Sequence, residues 1–138
     1  MSWTQSMANV VYTYIKYGTA SGSSTTRCYL GLLTDEPTEN GVLRGEVSTD
    51  SGYERLEIGD LLSSPAYDST NNQFVITNAS EINFPHVEQA VTGITHWGIF
   101  TTKTGGNCIT FGAFNQSTDL AINDVFTIEK NNLNIILK

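Results

Sequence analysis

Apolar residues change their spacing once along this chain, near residue 27. Before that point Trp3, Met7, Val10, Val11, Tyr14 and Ile15 recur at intervals that stack on one side of an α-helix. The pattern predicts a helix over residues 2–17 with those six side chains as its apolar face. Ser2 or Thr4 suits its N-cap, and Gly18 suits the position just past its end. Residues 18–26 are small and polar, a composition that predicts a flexible loop. They do not form a phosphate loop, because the closing Gly-Lys-Ser/Thr is missing.

From Arg27 onward the alternation is that of a strand. Cys28, Leu30 and Leu32 interleave with Tyr29, Gly31 and Leu33. Further strands are predicted within residues 52–58, 73–77, 81–84, 94–100, 108–114, 125–130 and 133–137. Residues 34–45 and 59–73 carry Pro37, Asn40, Gly41, Pro65, Asn71 and Asn72, and read as loops. Gly105, Gly106 and Asn107 supply the positive φ that a hairpin over residues 94–114 requires, and Asn131 with Asn132 does the same for the last pair. The final strand runs almost to the C-terminus and should pin it. Trp97 and Ile99 fall on one face of their strand; Ile94, Gly98 and Phe100 fall on the other. Apolar bulk on both faces predicts a central strand, covered by an opposing sheet or by another subunit. The fold expected is mostly β, an antiparallel, jelly-roll-like β-sandwich with one N-terminal α-helix. It is expected as a single domain over residues 1–138: helix 2–17, flexible loop 18–26, sandwich 27–138.

The chain has 138 residues, of which 14 are acidic and 7 basic, for a net charge of −7. The basic residues are scattered from Lys16 to Lys138. That balance argues against a nucleic-acid groove and against an anionic membrane surface. No apolar run reaches the length of a membrane span. The first residues lack the basic-then-apolar order of a secretory leader, so synthesis in a cytoplasm is expected. Cys28 and Cys108 sit in strand-like runs and are expected as buried free thiols.

Residues that could carry chemistry are few. His86 and His96 are the only histidines. Neither lies in a Gly-x-Ser-x-Gly elbow or a His-Glu-x-x-His motif. His96 is expected to hydrogen-bond a neighbour within its strand, and His86, after Pro85, to be exposed. Asp35, Glu36 and Glu39 cluster in one loop, but nothing there fixes two carboxylates at the separation glycoside hydrolysis needs, and EF-hand spacing is absent. A solvated acidic loop is the reading. Tyr12, Tyr14 and Tyr17 share the first helix with Trp3. Tyr14 is expected in core or subunit packing and Tyr17 partly exposed. No catalytic, cofactor-binding or metal residues are assigned, and no cofactor is expected.

Six blocks in order carry a resemblance. They are residues 29–34 with Pro37; Glu46 and Val47 with Gly52, Tyr53 and Arg55; residues 78–85; residues 94–100; Gly105, Gly106 and Asn107 with residues 112–114; and Asn123 and Asp124 with residues 133–137. In this arrangement the chain resembles a family of small bacteriophage virion proteins, commonly labelled tail-fibre or tail proteins. Residues 86–92 and the pair Glu129 and Lys130 depart from that pattern. The resemblance implies a non-enzymatic structural component of a phage particle, tail, baseplate or fibre-associated. It would dock to other virion proteins, form a homo-oligomer (a trimer by analogy), and be assembled in the host cytoplasm. A capsid decoration protein and a module that binds host surface glycans are the alternatives.

Overall fold

Thr4 begins the structure at its N-terminal end by capping a helix. Its hydroxyl accepts a hydrogen bond from the Met7 N–H at 3.2 Å, and its carbonyl accepts the first helical bond, from Ala8, at 2.9 Å. The computed structural model describes residues 4–17, 28–106 and 108–138. The expected loop 18–26 and Trp3 lie outside these. Helix α1 spans Gln5–Tyr17.

The strands are β1 (Tyr29–Leu33), β2 (Leu56–Glu57), β3 (Ala66–Asp68), β4 (Gln73–Thr77), β5 (Ile82–Asn83), β6 (Val91–Phe100), β7 (Cys108–Leu120), β8 (Thr127–Ile128) and β9 (Asn134–Leu137). They form a four-stranded sheet in the order β2-β1-β6-β7, a three-stranded sheet β3-β4-β9 and a two-stranded ribbon β5-β8. The described pairings are antiparallel. The chain is therefore mostly β with one helix, its sheets open, in keeping with the sandwich class expected.

The chain packs as two compact units. Of the described residues, one comprises residues 4–17, 58–82 and 128–138; the other comprises residues 28–57, 83–106 and 108–127.

In the first unit α1 lies against a 3-10 turn, Gly59–Leu61, and against β4. Gly59 is required there, because a side chain would run into the Lys16 carbonyl. Only Ala8 and Ile15 of the helix are buried. Met7, Val10 and Tyr14, assigned to the buried face from their spacing, are exposed instead. The 3-10 turn and β4, which pack against α1, leave these three side chains of the apolar face exposed. Two long-range bonds fix the helix: Tyr12 donates its hydroxyl to the Leu62 carbonyl at 3.2 Å, and Gln5 Nε2 reaches the Pro65 carbonyl at 3.5 Å. Asn78 is fully buried, and both ends of its amide are hydrogen-bonded. It donates to the carbonyls of Ser80 and Glu129 and accepts from the Leu133 N–H, which joins the end of β4 to the turn before β9. β9 pairs with β4 from Asn134 to Leu137, so the C-terminal strand is held as expected.

In the second unit β6 is central, with β1 on one side and β7 on the other. Ile94, Trp97, Ile99 and Phe100 are all buried, which bears out burial on both faces. The hairpin turn places Gly105 and Gly106 at φ of 65° and 70°, the conformation glycine adopts at least cost. The strand expected over residues 52–58 is corrected: only Leu56 and Glu57 pair, because Tyr53 and Arg55 are held by side-chain bonds rather than by a ladder. The loop read over residues 59–73 also contains β3, an exposed edge strand too polar and short to show alternation.

Candidate functional site

The residues singled out for chemistry are not brought together. Asp35, Glu36 and Glu39 are exposed, and Asp35 spends one carboxylate oxygen on the Glu36 N–H at 2.8 Å. His86 is exposed. His96 Nδ1 lies 2.8 Å from the hydroxyl of its neighbour Thr95, the local bond expected of a strand histidine. Among the described residues no group of three His, Cys, Asp or Glu side chains is placed to hold a metal ion. Cys28 and Cys108 are both buried thiols not joined in a disulfide, as expected. Burial holds the Cys108 thiol above its ordinary pKa, and its Sγ donates to the Thr110 carbonyl at 3.0 Å.

A dense polar arrangement among the described residues of the second unit was not legible as a site. It centres on Arg55, whose side chain is 3% exposed. Its guanidinium forks onto Glu46, Nε to Oε2 at 2.8 Å and Nη2 to Oε1 at 2.8 Å. Nη1 donates to the carbonyls of Thr102 at 3.0 Å and Gly105 at 2.8 Å. The Phe100 ring lies against the plane, with its centroid 3.6 Å from Cζ. Tyr53 donates its hydroxyl to Glu46 Oε2 at 2.7 Å and accepts from the Leu32 N–H at 3.1 Å. Burial first, and then the bond to Glu46, push the phenol far above its ordinary pKa.

This arrangement binds three pieces of backbone together: β1, the 46–55 segment and the turn of the β6–β7 hairpin. Both Glu46 oxygens and four of the five N–H groups of a guanidinium are committed to protein partners. A cleft of about 470 Å3 adjoins it, lined also by Thr49, Glu54, Lys103 and Thr104. At its rim Lys103 Nζ and Glu54 Oε2 stand 3.4 Å apart, both well exposed. Chemically the site is a clamp: the charges of Arg55 and Glu46 are matched, and Glu46 holds the Tyr53 proton. Tyr53 and Arg55 are two residues apart in an extended segment and so share a side. That spacing is the only sequence signal that could have paired them.

At the sheet edge, β7 has β6 on one side only. Its first N–H, of Cys108, is taken by the Gly41 carbonyl at 3.3 Å. From Cys108 through Thr118 the chain carries no charged residue. The register against β6 shifts between Ile94 and His96, where residues 114–117 of β7 bulge.

Compared with known proteins, the sequence matches the family described as Podophage GP4 fiber I protein gp80, over residues 2–136. No curated protein matches it.

Proposed function

The chain belongs to the family of the Podophage GP4 fiber I protein gp80, a bacteriophage structural protein of the tail-fibre type, and from that membership we propose that it is a non-enzymatic module docking to other virion proteins at the tail. The observation that supports docking is the β7 edge. Edge strands in free-standing proteins are blunted by charge or proline. Here residues 109–113 carry neither, and they precede the bulge. A strand of a neighbouring virion protein can add to that edge, with main-chain bonds supplying affinity. The clamp is in keeping with a structural role: the buried Arg55 and Glu46 pair and the Tyr53 hydroxyl hold the hairpin turn to its neighbours. Assembly from the host cytoplasm completes the reading, since particle assembly joins newly made proteins there.

Quantitative mass spectrometry of purified particles of the encoding phage tests the proposal. A tail component is present at a small fraction of the major capsid protein. A copy number that scales with the capsid lattice would replace the tail reading with head decoration. Absence from particles would reject both. A module that recognises host glycans would in addition compete, as free protein, with phage adsorption.

A further inference from the structure

Beside the open edge of β7 lies a buried polar group that the fold leaves unpaired. The ladder shows which backbone groups the edge presents. Leu32 turns both of its own away from β6: its N–H donates to the Tyr53 hydroxyl and its carbonyl accepts from the Val47 N–H. Bonded and non-bonded pairs alternate in an antiparallel ladder. Leu32 stands opposite Trp97, and Trp97 opposite Gly112, so the backbone groups of Trp97 turn to Gly112. Those of Phe111 and Ala113 therefore point outward, and among the described residues no backbone group outside the ladder meets them. Trp97 itself is 5% exposed, and among the described residues its indole N–H donates to no acceptor. A buried indole N–H ordinarily has a partner. The N–H edge of the ring lies across Gly112, where a Cβ would stand 3.0 Å from Nε1.

We propose that β7 takes an extended, uncharged segment of another virion protein, and that a Ser, Thr or Asn side chain opposite Gly112 accepts the Trp97 indole N–H. The inference rests on the strand addition proposed above and names the chemistry that selects the strand. Phe111 and Ala113 offer their N–H and carbonyl groups to the incoming backbone. Gly112 turns its own groups to β6, so the residue opposite it in the added strand sits in a non-bonded pair, where side chains stand closest. The Cβ of that residue falls about 4.5–5.5 Å from the place a Gly112 Cβ would take. Nε1 is 3.0 Å from the same place, so an oxygen on a short side chain reaches it. With no side chain at Gly112, the indole edge is the surface that this residue meets. The acceptor is neutral: a carboxylate would lose its water there and would face a chain of net charge −7. The window is short. The Gly41 carbonyl takes the Cys108 N–H at one end, and the bulge at residues 114–117 ends regular pairing at the other.

The probe is an array of overlapping peptides from the other virion proteins of the encoding phage, incubated with the labelled full chain. At least one peptide is expected to bind, and to carry a Ser, Thr or Asn whose replacement by valine weakens binding about tenfold. Trp3 and Trp97 are the only tryptophans, so the Trp97 indole signal is the one that survives Trp3→Phe in a proton–nitrogen correlation spectrum. The bound peptide should move that signal downfield and slow amide exchange at Phe111 and Ala113. In Trp97→Phe, which keeps a ring without the N–H, the original and valine peptides should bind alike. Ala113→Pro removes an N–H that faces away from the ladder; it should fold and lose the peptide. An array on which nothing binds overturns the proposal. So does binding that leaves the Trp97 indole signal unmoved, a valine peptide bound as tightly as the original, or a folded Ala113→Pro that binds like the parent. A protein counted at the tail with a blank array keeps the tail reading and loses this one. Peptide binding that meets every expectation, by a protein absent from particles, removes the tail reading and keeps the edge chemistry.

Discussion

The indole of Trp97 occupies the place a side chain at Gly112 would take: a Cβ there would lie 2.5 Å from Trp97 Cζ2 and 2.7 Å from Cε2. The two residues face each other across the β6–β7 ladder. The aromatic ring covers the strand where glycine leaves it bare, a cross-strand pairing that also secures register.

Trp97→Ala should therefore cost about 3–5 kcal/mol in urea unfolding, the range for a large aromatic removed from a core. Gly112→Ala should cost about 1–3 kcal/mol by overpacking. In the double variant the alanine at 112 meets no indole, so the two losses should fall well short of adding. Strict additivity would mean that the two positions do not share the space.

Arg55→Met should lower stability through a different route. Removing one partner of a buried ion pair costs about 3–5 kcal/mol. The lower end is expected, because the Glu46 side chain keeps 22% exposure. Arg55→Lys should rescue little, since an ammonium cannot fork onto both Glu46 oxygens and reach the Thr102 and Gly105 carbonyls as well. Amide exchange should quicken first in the turn around residues 102–105. Full rescue by Lys would show that charge alone, and not the fork, holds the turn.

The phenol of Tyr53 makes stability sensitive to alkali. Its pKa is raised on folding, so above about pH 10, where a free tyrosine ionises, the unfolded chain loses a proton that the folded chain keeps. This contribution is fully present below about pH 10 and is lost above it, by about 1.4 kcal/mol per pH unit. Burial of Cys108 acts in the same direction from about pH 8.5. Tyr53→Phe should be less stable at neutral pH, having lost the bonds to Glu46 and Leu32, yet its stability should fall less steeply above pH 10. Equal slopes for parent and variant in that range would contradict the assignment.

How much of this was legible in the sequence depended on whether the signal was local. The β6–β7 hairpin was readable because two apolar runs flank Gly105 and Gly106, which adopt the left-handed backbone a tight turn needs. Asn131, at φ 69°, marks the turn before β9 in the same way. Two-sided burial of β6 followed from apolar residues at consecutive positions. The clamp was hidden because a lone arginine reads as a solvent residue. Its partners are nine residues away at Glu46 and 47 and 50 residues away at the Thr102 and Gly105 carbonyls. Carbonyl groups leave no trace in a sequence. The outward turn of Met7 and Val10 was hidden for another reason: periodicity gives the width of an apolar face but not which part of it the protein itself covers.

The most direct test of the central reading is the position of this protein in the particle. Purified virions of the encoding phage, labelled with antibody to the protein and viewed by electron microscopy, should carry label at the tail end. Label spread over the head, or no label on intact or disrupted particles that retain their other proteins, would contradict it.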